Sequence, residues 1–257
     1  MSGYDEVVLD FLVRAAREFT RGGWVFTGFH WPVLAGQLAH QLPEAPGAQP
    51  FAQVFEAGAT THAAGRLVPT STTDYPAYAN AIGFEGDSAA MLLGLAHRYD
   101  RVLLDASNLD VRGRVNSSLI GPSERPKVRL PGGGGAPDVA AVARELVWLS
   151  GGPGLDRLQS AVEHVTAAPG RRTLVRAHTR WGIVRLGDVP EVEELAEVAG
   201  VDDFTRHLDR LGVAAGTPVI RTPVSDGERS AAAGVLDEAR ARGYRVARQS
   251  LIADGGR

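Results

Sequence analysis

Cysteine is missing from all 257 residues. That excludes disulfides, thiolate metal sites and cysteine nucleophiles together. Basic runs are missing too: 27 Lys and Arg stand against 30 Asp and Glu, for a formal net charge of −3. Nucleic acid therefore has no electrostatic footprint here. No stretch reaches the ~18 apolar residues of a membrane span. The start, MSGYDEVVLDF, carries acids where a signal peptide has a basic region and a long apolar run. The expectation is a cytoplasmic protein without membrane contact. His30, His40, His62, His97, His164, His178 and His207 are scattered without H-x-H or H-E-x-x-H spacing, so no metal is expected. G-x-S-x-G does not occur, which argues against a nucleophile elbow. GGGGAPD has Pro137 where a dinucleotide fingerprint needs its third glycine, and Gly-Lys-Ser/Thr never follows it. It is neither a Rossmann nor a Walker loop.

Glycine is what the chain has in excess. Its 31 glycines are about 12% of the residues, against a usual ~7%. Otherwise 44% hydrophobic and 22% charged residues describe an ordinary globular chain, long enough for a proper core. Val8, Phe11, Leu12, Ala15 and Phe19 mark one face of an opening helix, and WVFT is a short strand closed by Gly28. Leu34, Leu38 and Leu42 suggest a second helix, QVFEAG a strand entering a glycine turn, SAAMLLGLAH a buried helix and RVLLDA a strand. RVNSSLI, KVRL and ELVWLS read as strands, LDRLQSAVEHV as a helix, and LVRAHTRWGIVRL as a hairpin turning near Thr179 to Gly182. A compositional break falls near Gly187 to Pro190, and from about residue 190 the chain reads as mostly helical. The expectation is a single α/β domain over 1–257, an open mostly parallel sheet flanked by helices.

Three glycine-bearing turns close expected strands: TGFHWPVLAG, FEAGAT and LPGGGGAPD. In open α/β sheets ligands gather where strand-end loops meet. FEAGAT sets Glu56 among Phe55, Ala57 and Gly58, residues too small or too apolar to solvate a carboxylate. The N–H groups of Gly133, Gly134, Gly135 and Ala136 can converge on an anion, since little side chain holds a ligand off. A carboxylate nucleophile beside such donors suits acyl transfer through an anhydride. The plainer reading stays open at this point: a glutamate in a turn is often solvated, and a glycine run is often only a loop. His62, six residues past Glu56, either faces the same cavity or is an ordinary loop residue.

The run DVRGRVNSSLIGPSERPKVRLPGGGGAPDVAA resembles a motif of the β subunit of family I CoA-transferases, above all the glutaconate CoA-transferase type. Asp110, Gly113, Val115, Asn116, Ile120, Gly121, Pro126, Lys127, Arg129, Gly132, Gly134, Gly135, Ala136 and Asp138 stand where that family has them. TRWGIVRL and, less closely, GVDDFTRHLDRLG resemble later elements, and the likeness extends from about Thr20 to Pro223. The resemblance implies a CoA-transferase (NagB-like) fold and places the family's catalytic glutamate, in its E-(S/A)-G turn, on Glu56. It implies attack on an acyl-CoA and a glutamyl-CoA thioester. Coenzyme A is then substrate and covalent intermediate, with no permanently bound cofactor. Gly133, Gly134, Gly135 and Ala136 become candidates for oxyanion or CoA contact. An α-type CoA-transferase subunit is implied as partner, in an αβ or α2β2 assembly, with an acyl-CoA and a free carboxylate as substrates.

The departures matter as well. TGFHWPVLAG puts Phe29, His30 and Trp31 after Gly28 where the family has aliphatic residues. These four either line an altered acyl pocket, with His30 a hydrogen-bond partner or acid, or Trp31 is a core plug and His30 points outward. Arg114 replaces an asparagine, and Pro137 an asparagine or methionine. Two further functions stay in view: hydrolysis or decarboxylation of a CoA ester on the same fold, and a non-catalytic structural subunit.

Overall fold

A computed structural model describes residues 3–42, 48–217 and 223–251. The sheet grows from strand β1 (Arg21–Thr27) in two directions. On one side come β2 (Gln49–Phe55), β3 (Ala59–Thr61) and β4 (Ile82–Glu85). The chain then returns to the other side of β1 with β5 (Arg101–Asp105), β6 (Glu145–Ser150), β7 (Leu174–Thr179), β8 (Gly182–Leu186) and β9 (Glu191–Leu195). The order is β9-β8-β7-β6-β5-β1-β2-β3-β4. The five strands from β7 to β2 are parallel, and an antiparallel pair of strands extends each edge. The expected open, mostly parallel sheet is this centre. VLL of β5 and LVWLS of β6 are buried apolar runs, as strands covered on both faces must be.

Helix α1 (Glu6–Ala16) starts where the Asp5 carboxylate accepts the Val7 N–H at 3.0 Å. It is buried almost all round, because it lies under α2 (Trp31–Ala39) and α5 (Asp226–Ala241) as well as on the sheet. Its two buried charges are satisfied: Asp10 takes a fork from Arg229 at 2.7 and 3.1 Å, and Arg14 donates to the Arg180 carbonyl at 2.6 Å. The opposite face carries α3 (Ala136–Val142) and a second core around Met91, Tyr99 and Trp148. Helix α4 (Val201–Arg210) also packs there through Phe204 and Leu208. A short α6 (Arg245–Arg248) closes the described chain.

Several expected elements differ. SAAMLLGLAH forms only a π-turn at Ala90–Gly94 and a 3-10 turn at Ala96–Arg98, with Met91 and Ala96 buried. Gly94 interrupts it, and the Tyr99 hydroxyl donates to the Met91 carbonyl at 2.6 Å. LDRLQSAVEHV is a 3-10 turn (Leu155–Arg157) followed by extended chain, because Leu158 pairs with Leu109 and the Val162 N–H goes to Asp110 at 3.3 Å. RVNSSLI and KVRL contribute only the short antiparallel pair Leu119–Ile120 and Val128–Arg129. The segment after residue 190 opens with strand β9 before it turns helical. Among the described residues no helix is long and apolar enough to cross a membrane.

Candidate active site

Glu56 stands at the tip of the turn between β2 and β3. The Gly58 N–H closes the turn on the Phe55 carbonyl at 3.1 Å. Gly58 holds φ at +122°, and a Cβ there would lie 2.0 Å from the Gly86 carbonyl oxygen. Only glycine fits, so the turn is fixed and the half-buried Glu56 side chain is aimed by it.

The glycine run meets that side chain. A Cβ on Gly135 would lie 3.0 Å from Oε1 of Glu56, and one on Gly134 would lie 3.9 Å away. The carboxylate and the loop, 79 positions apart in sequence, therefore share one site. Leu92 forms the third wall, since the same Cβ on Gly135 would fall 2.4 Å from its Cδ2. Nothing in the sequence reading marked Leu92; SAAMLLGLAH looked like a core helix, and its irregular turn is what presents that side chain.

The loop N–H groups are not equivalent. Ala136 donates to the Gly133 carbonyl at 3.0 Å and Gly132 to the Ser117 carbonyl at 2.7 Å. The Ala136 N–H is thus engaged within the loop. Gly133, Gly134 and Gly135 donate to no backbone carbonyl among the described residues. With Gly134 at φ +51° and Gly132 at φ +97°, the run adopts backbone that other residues resist.

A platform beneath the loop explains the dense motif before it. Asp110 is fully buried, and its carboxylate accepts from the Arg112 and Arg114 N–H groups at 3.0 Å each and from Arg114 Nε at 2.7 Å. Arg114, the departure from the family's asparagine, is absorbed by that pairing. Asn116 accepts from Ser118 N at 3.1 Å, while Thr166 Oγ1 accepts from Ser117 N at 2.9 Å and meets Ser118 Oγ at 2.7 Å. Ser117 and Ser118 in turn hold Gly132 and Leu130. Thr166 was not singled out from sequence, lying one residue past what read as a helix.

The first loop lies differently. Gly28 is buried with its N–H on the Leu103 carbonyl at 2.9 Å. Trp31 is a core residue, 3% exposed and edge-on to Phe11, so its role as a pocket wall for Glu56 is not supported. Phe29 packs between Tyr244 and the small cluster of Val33, Phe55 and Tyr78. His30 sets Nδ1 3.3 Å from Asp105 Oδ2. His62 is exposed and faces the Phe51 carbonyl at 3.3 Å, at the other end of β2 from Glu56. Among the described residues no group of three or more His, Asp or Glu could hold a metal ion.

No protein-family model matches the chain. Over 137 residues it is 33% identical to the B-type subunit of 3-oxoadipate CoA-transferase from Pseudomonas knackmussii. That match spans 52% of this chain and 50% of the relative, so the chain spans about half the length of the curated relative it matches. Glutaconate coenzyme A-transferase from Acidaminococcus fermentans superposes with a TM-score of 0.69 at 18% identity, covering 93% of this chain and 94% of that one. The chain resembles the family I CoA-transferase β subunits in sequence and in fold. The CoA-transferase fold carries other names too: the decarboxylase AibA/AibB superposes with a TM-score of 0.69 at 20% identity, over 89% of this chain and 93% of that one.

Proposed function

We propose that the chain is the β subunit of a heteromeric CoA-transferase with Glu56 as nucleophile. The supporting observation is the Glu56 carboxylate set against Gly134 and Gly135, whose N–H groups are uncommitted to other backbone. A Glu56 oxygen adds to the thioester carbonyl of an acyl-CoA, the glycine N–H groups stabilise the oxyanion, and the C–S bond breaks to give a glutamyl–acyl anhydride and CoA thiolate. The thiolate then attacks the glutamyl carbonyl, releasing the first carboxylic acid and leaving CoA on Glu56 as a thioester. An acceptor carboxylate attacks that thioester, giving a new anhydride and thiolate. The thiolate takes the acceptor's acyl group, and Glu56 is restored. Proton, metal and ATP balances are untouched. The apolar wall formed by Leu92 excludes the water that would hydrolyse either intermediate.

The partner in this reading is an α-type subunit. Leu93, beside the wall residue Leu92, is 68% exposed, and Phe84 on edge strand β4 is 44% exposed. Large apolar side chains left open around a site fit a surface that a second chain covers. The 3-oxoadipate CoA-transferase relative and AibA/AibB both carry names of two-component proteins.

Trapping tests the reading. The αβ pair, exposed to an acyl-CoA and then to hydroxylamine or borohydride, is expected to carry its modification on the peptide holding Glu56. Label on any other peptide removes Glu56 as nucleophile. A hydrolase on the same site would release CoA steadily without a carboxylate acceptor, whereas the transferase releases one equivalent of the first carboxylic acid per site and keeps the CoA on Glu56.

A further inference from the structure

The chain builds the sheet in one direction from β1 and in the other from β5, so the switch lies between these two neighbours. Crevices at such switch points, at the carboxyl ends of the strands, are where open α/β sheets take ligands. Glu56 is one strand away, after β2, and does not occupy this one. His30 does. At φ +64° and ψ −120° it is the single non-glycine residue with positive φ among the described residues. Strain of that kind persists only where surrounding structure enforces it, and it clusters at ligand sites. It brings His30 Nδ1 to Asp105 Oδ2 at 3.3 Å, at the end of β5.

Beside this pair lies a cavity of about 90 Å³, walled by Asp105, Ser107, Arg157, Arg180 and Gln249 above the Trp31 indole. Arg180 is held by its Nε bond to the Gly151 carbonyl at 2.6 Å, with its side chain 9% exposed. Arg157 lies flat on Gly152, where a Cβ would come within 2.0 Å of its Nε. Arg157 has no carboxylate partner among the described residues, and the nearest to Arg180 is Asp5 at 4.0 Å. Burial pushes the Arg180 guanidinium pKa down, Asp5 opposes that, and Arg157 pushes it down further. Two cations thus face one small space whose lining carboxylate, Asp105, is met by His30 at 3.3 Å.

We propose that this cavity binds a small carboxylate, whose two oxygens take N–H groups of Arg157 and Arg180. The planar guanidinium fork matches a carboxylate edge, and desolvated cations repay a matching anion. Volume limits the ligand: a cavity of about 90 Å³ suits an acetate- or propionate-sized group rather than a nucleotide. The site goes beyond the Glu56 reading and stands without it.

Calorimetric titration of the full chain with acetate and propionate, against sodium chloride at equal ionic strength and against inorganic phosphate, tests the assignment. Acetate is expected to bind saturably. Arg157→Met should weaken it at least tenfold, Arg157→Lys less, and Ser107→Met, which fills the cavity and keeps both cations, should also abolish it. Glu56→Gln should leave the affinity within twofold. An unchanged affinity in both Arg157→Met and Ser107→Met, or equal heats from chloride, overturns the site. Tighter phosphate than acetate overturns the carboxylate assignment. Loss of binding in Glu56→Gln places the anion at Glu56 instead, and failure of the Glu56 trapping experiment alone leaves this cavity's assignment intact.

Discussion

Gly135 and His30 each occupy a position whose cost is visible in a single residue. At Gly135 an added methyl would press on the Glu56 Oε1 at 3.0 Å and on Leu92 Cδ2 at 2.4 Å, both ends of flexible side chains. The fold can therefore yield while the nucleophile is displaced. Gly135→Ala is expected to melt within ~1 kcal/mol of the parent, in the range of a tolerated substitution. Its kcat/KM for CoA transfer should fall at least tenfold, since small misplacements of reacting groups cost about that or more. Parallel thermal melts and steady-state assays of the αβ pair check it; a large loss of stability, or unchanged activity, contradicts the geometry. At His30 the argument concerns backbone. Positive φ costs a non-glycine residue about 1–2 kcal/mol, and glycine escapes that cost. His30→Gly is then expected to be more stable than His30→Ala by about 1 kcal/mol, the reverse of the order inside a helix or strand. Urea unfolding of the two variants decides the matter.

Among elements, the loop carrying the four glycines depends on a platform it does not belong to. Asp110 supplies it: one fully buried carboxylate takes two backbone N–H groups, an arginine Nε and the Val162 N–H. Asp110→Ala strands those donors. Because Arg114 is 32% exposed, water recovers part of its loss, and the expected destabilisation is about 2–3 kcal/mol, below that of a fully buried pair. Urea unfolding measures it, and hydrogen exchange should locate the opening at 108–135 ahead of the central strands. Asp110 and Asn116 were legible in the sequence as parts of a dense family-like run, although their work as anchors was not. Thr166 was hidden, because bonds between 110–118 and 158–167 are long-range and leave no period in the chain. The same cause defeated the helix expected at LDRLQSAVEHV: local spacing favoured a helix, and Leu158 and Val162 were claimed by Leu109 and Asp110. The central strands escaped such errors, since VLL and LVWLS are apolar on both faces whatever packs on them. Glu56 and the glycine run were each visible alone. Their meeting depends on the return of the chain across β1, which no local pattern encodes.

Across the whole molecule, the end of the sheet away from Glu56 sets how the fold answers to acid. Burial alone would raise the Glu18 carboxyl, but His178, Arg176 and Arg21 around it hold it far below the usual carboxylate range. Its contribution is full above the unfolded pKa of about 4.3 and is lost as pH falls further. His40 acts in a higher window. Burial, and then repulsion from His62, lower its pKa from 6.5 to about 4. Its Nε2 is buried without a hydrogen-bond partner, and its ring stacks on Phe51 at 4.3 Å. The sign follows from which state takes the proton. Below pH 6.5 the unfolded chain protonates this histidine while the folded chain keeps it neutral, so stability falls until the pH reaches the folded value. With ~1.4 kcal/mol per pKa unit, the loss between pH 7 and pH 4 is about 2–3 kcal/mol. His40→Phe keeps the stack on Phe51 and removes the proton site. Urea unfolding at pH 7, 5.5 and 4.5 is expected to show the parent losing stability more steeply over this interval than His40→Phe, whose remaining loss comes from the fully buried His178, which burial also holds below its usual pKa. Both should then fall together below pH 4.5 as Glu18 and the other carboxylates protonate. Parallel curves for the two proteins from pH 7 to 4.5 would mean that His40 opens to water and titrates freely, which its unpartnered ring nitrogen against Phe51 argues against.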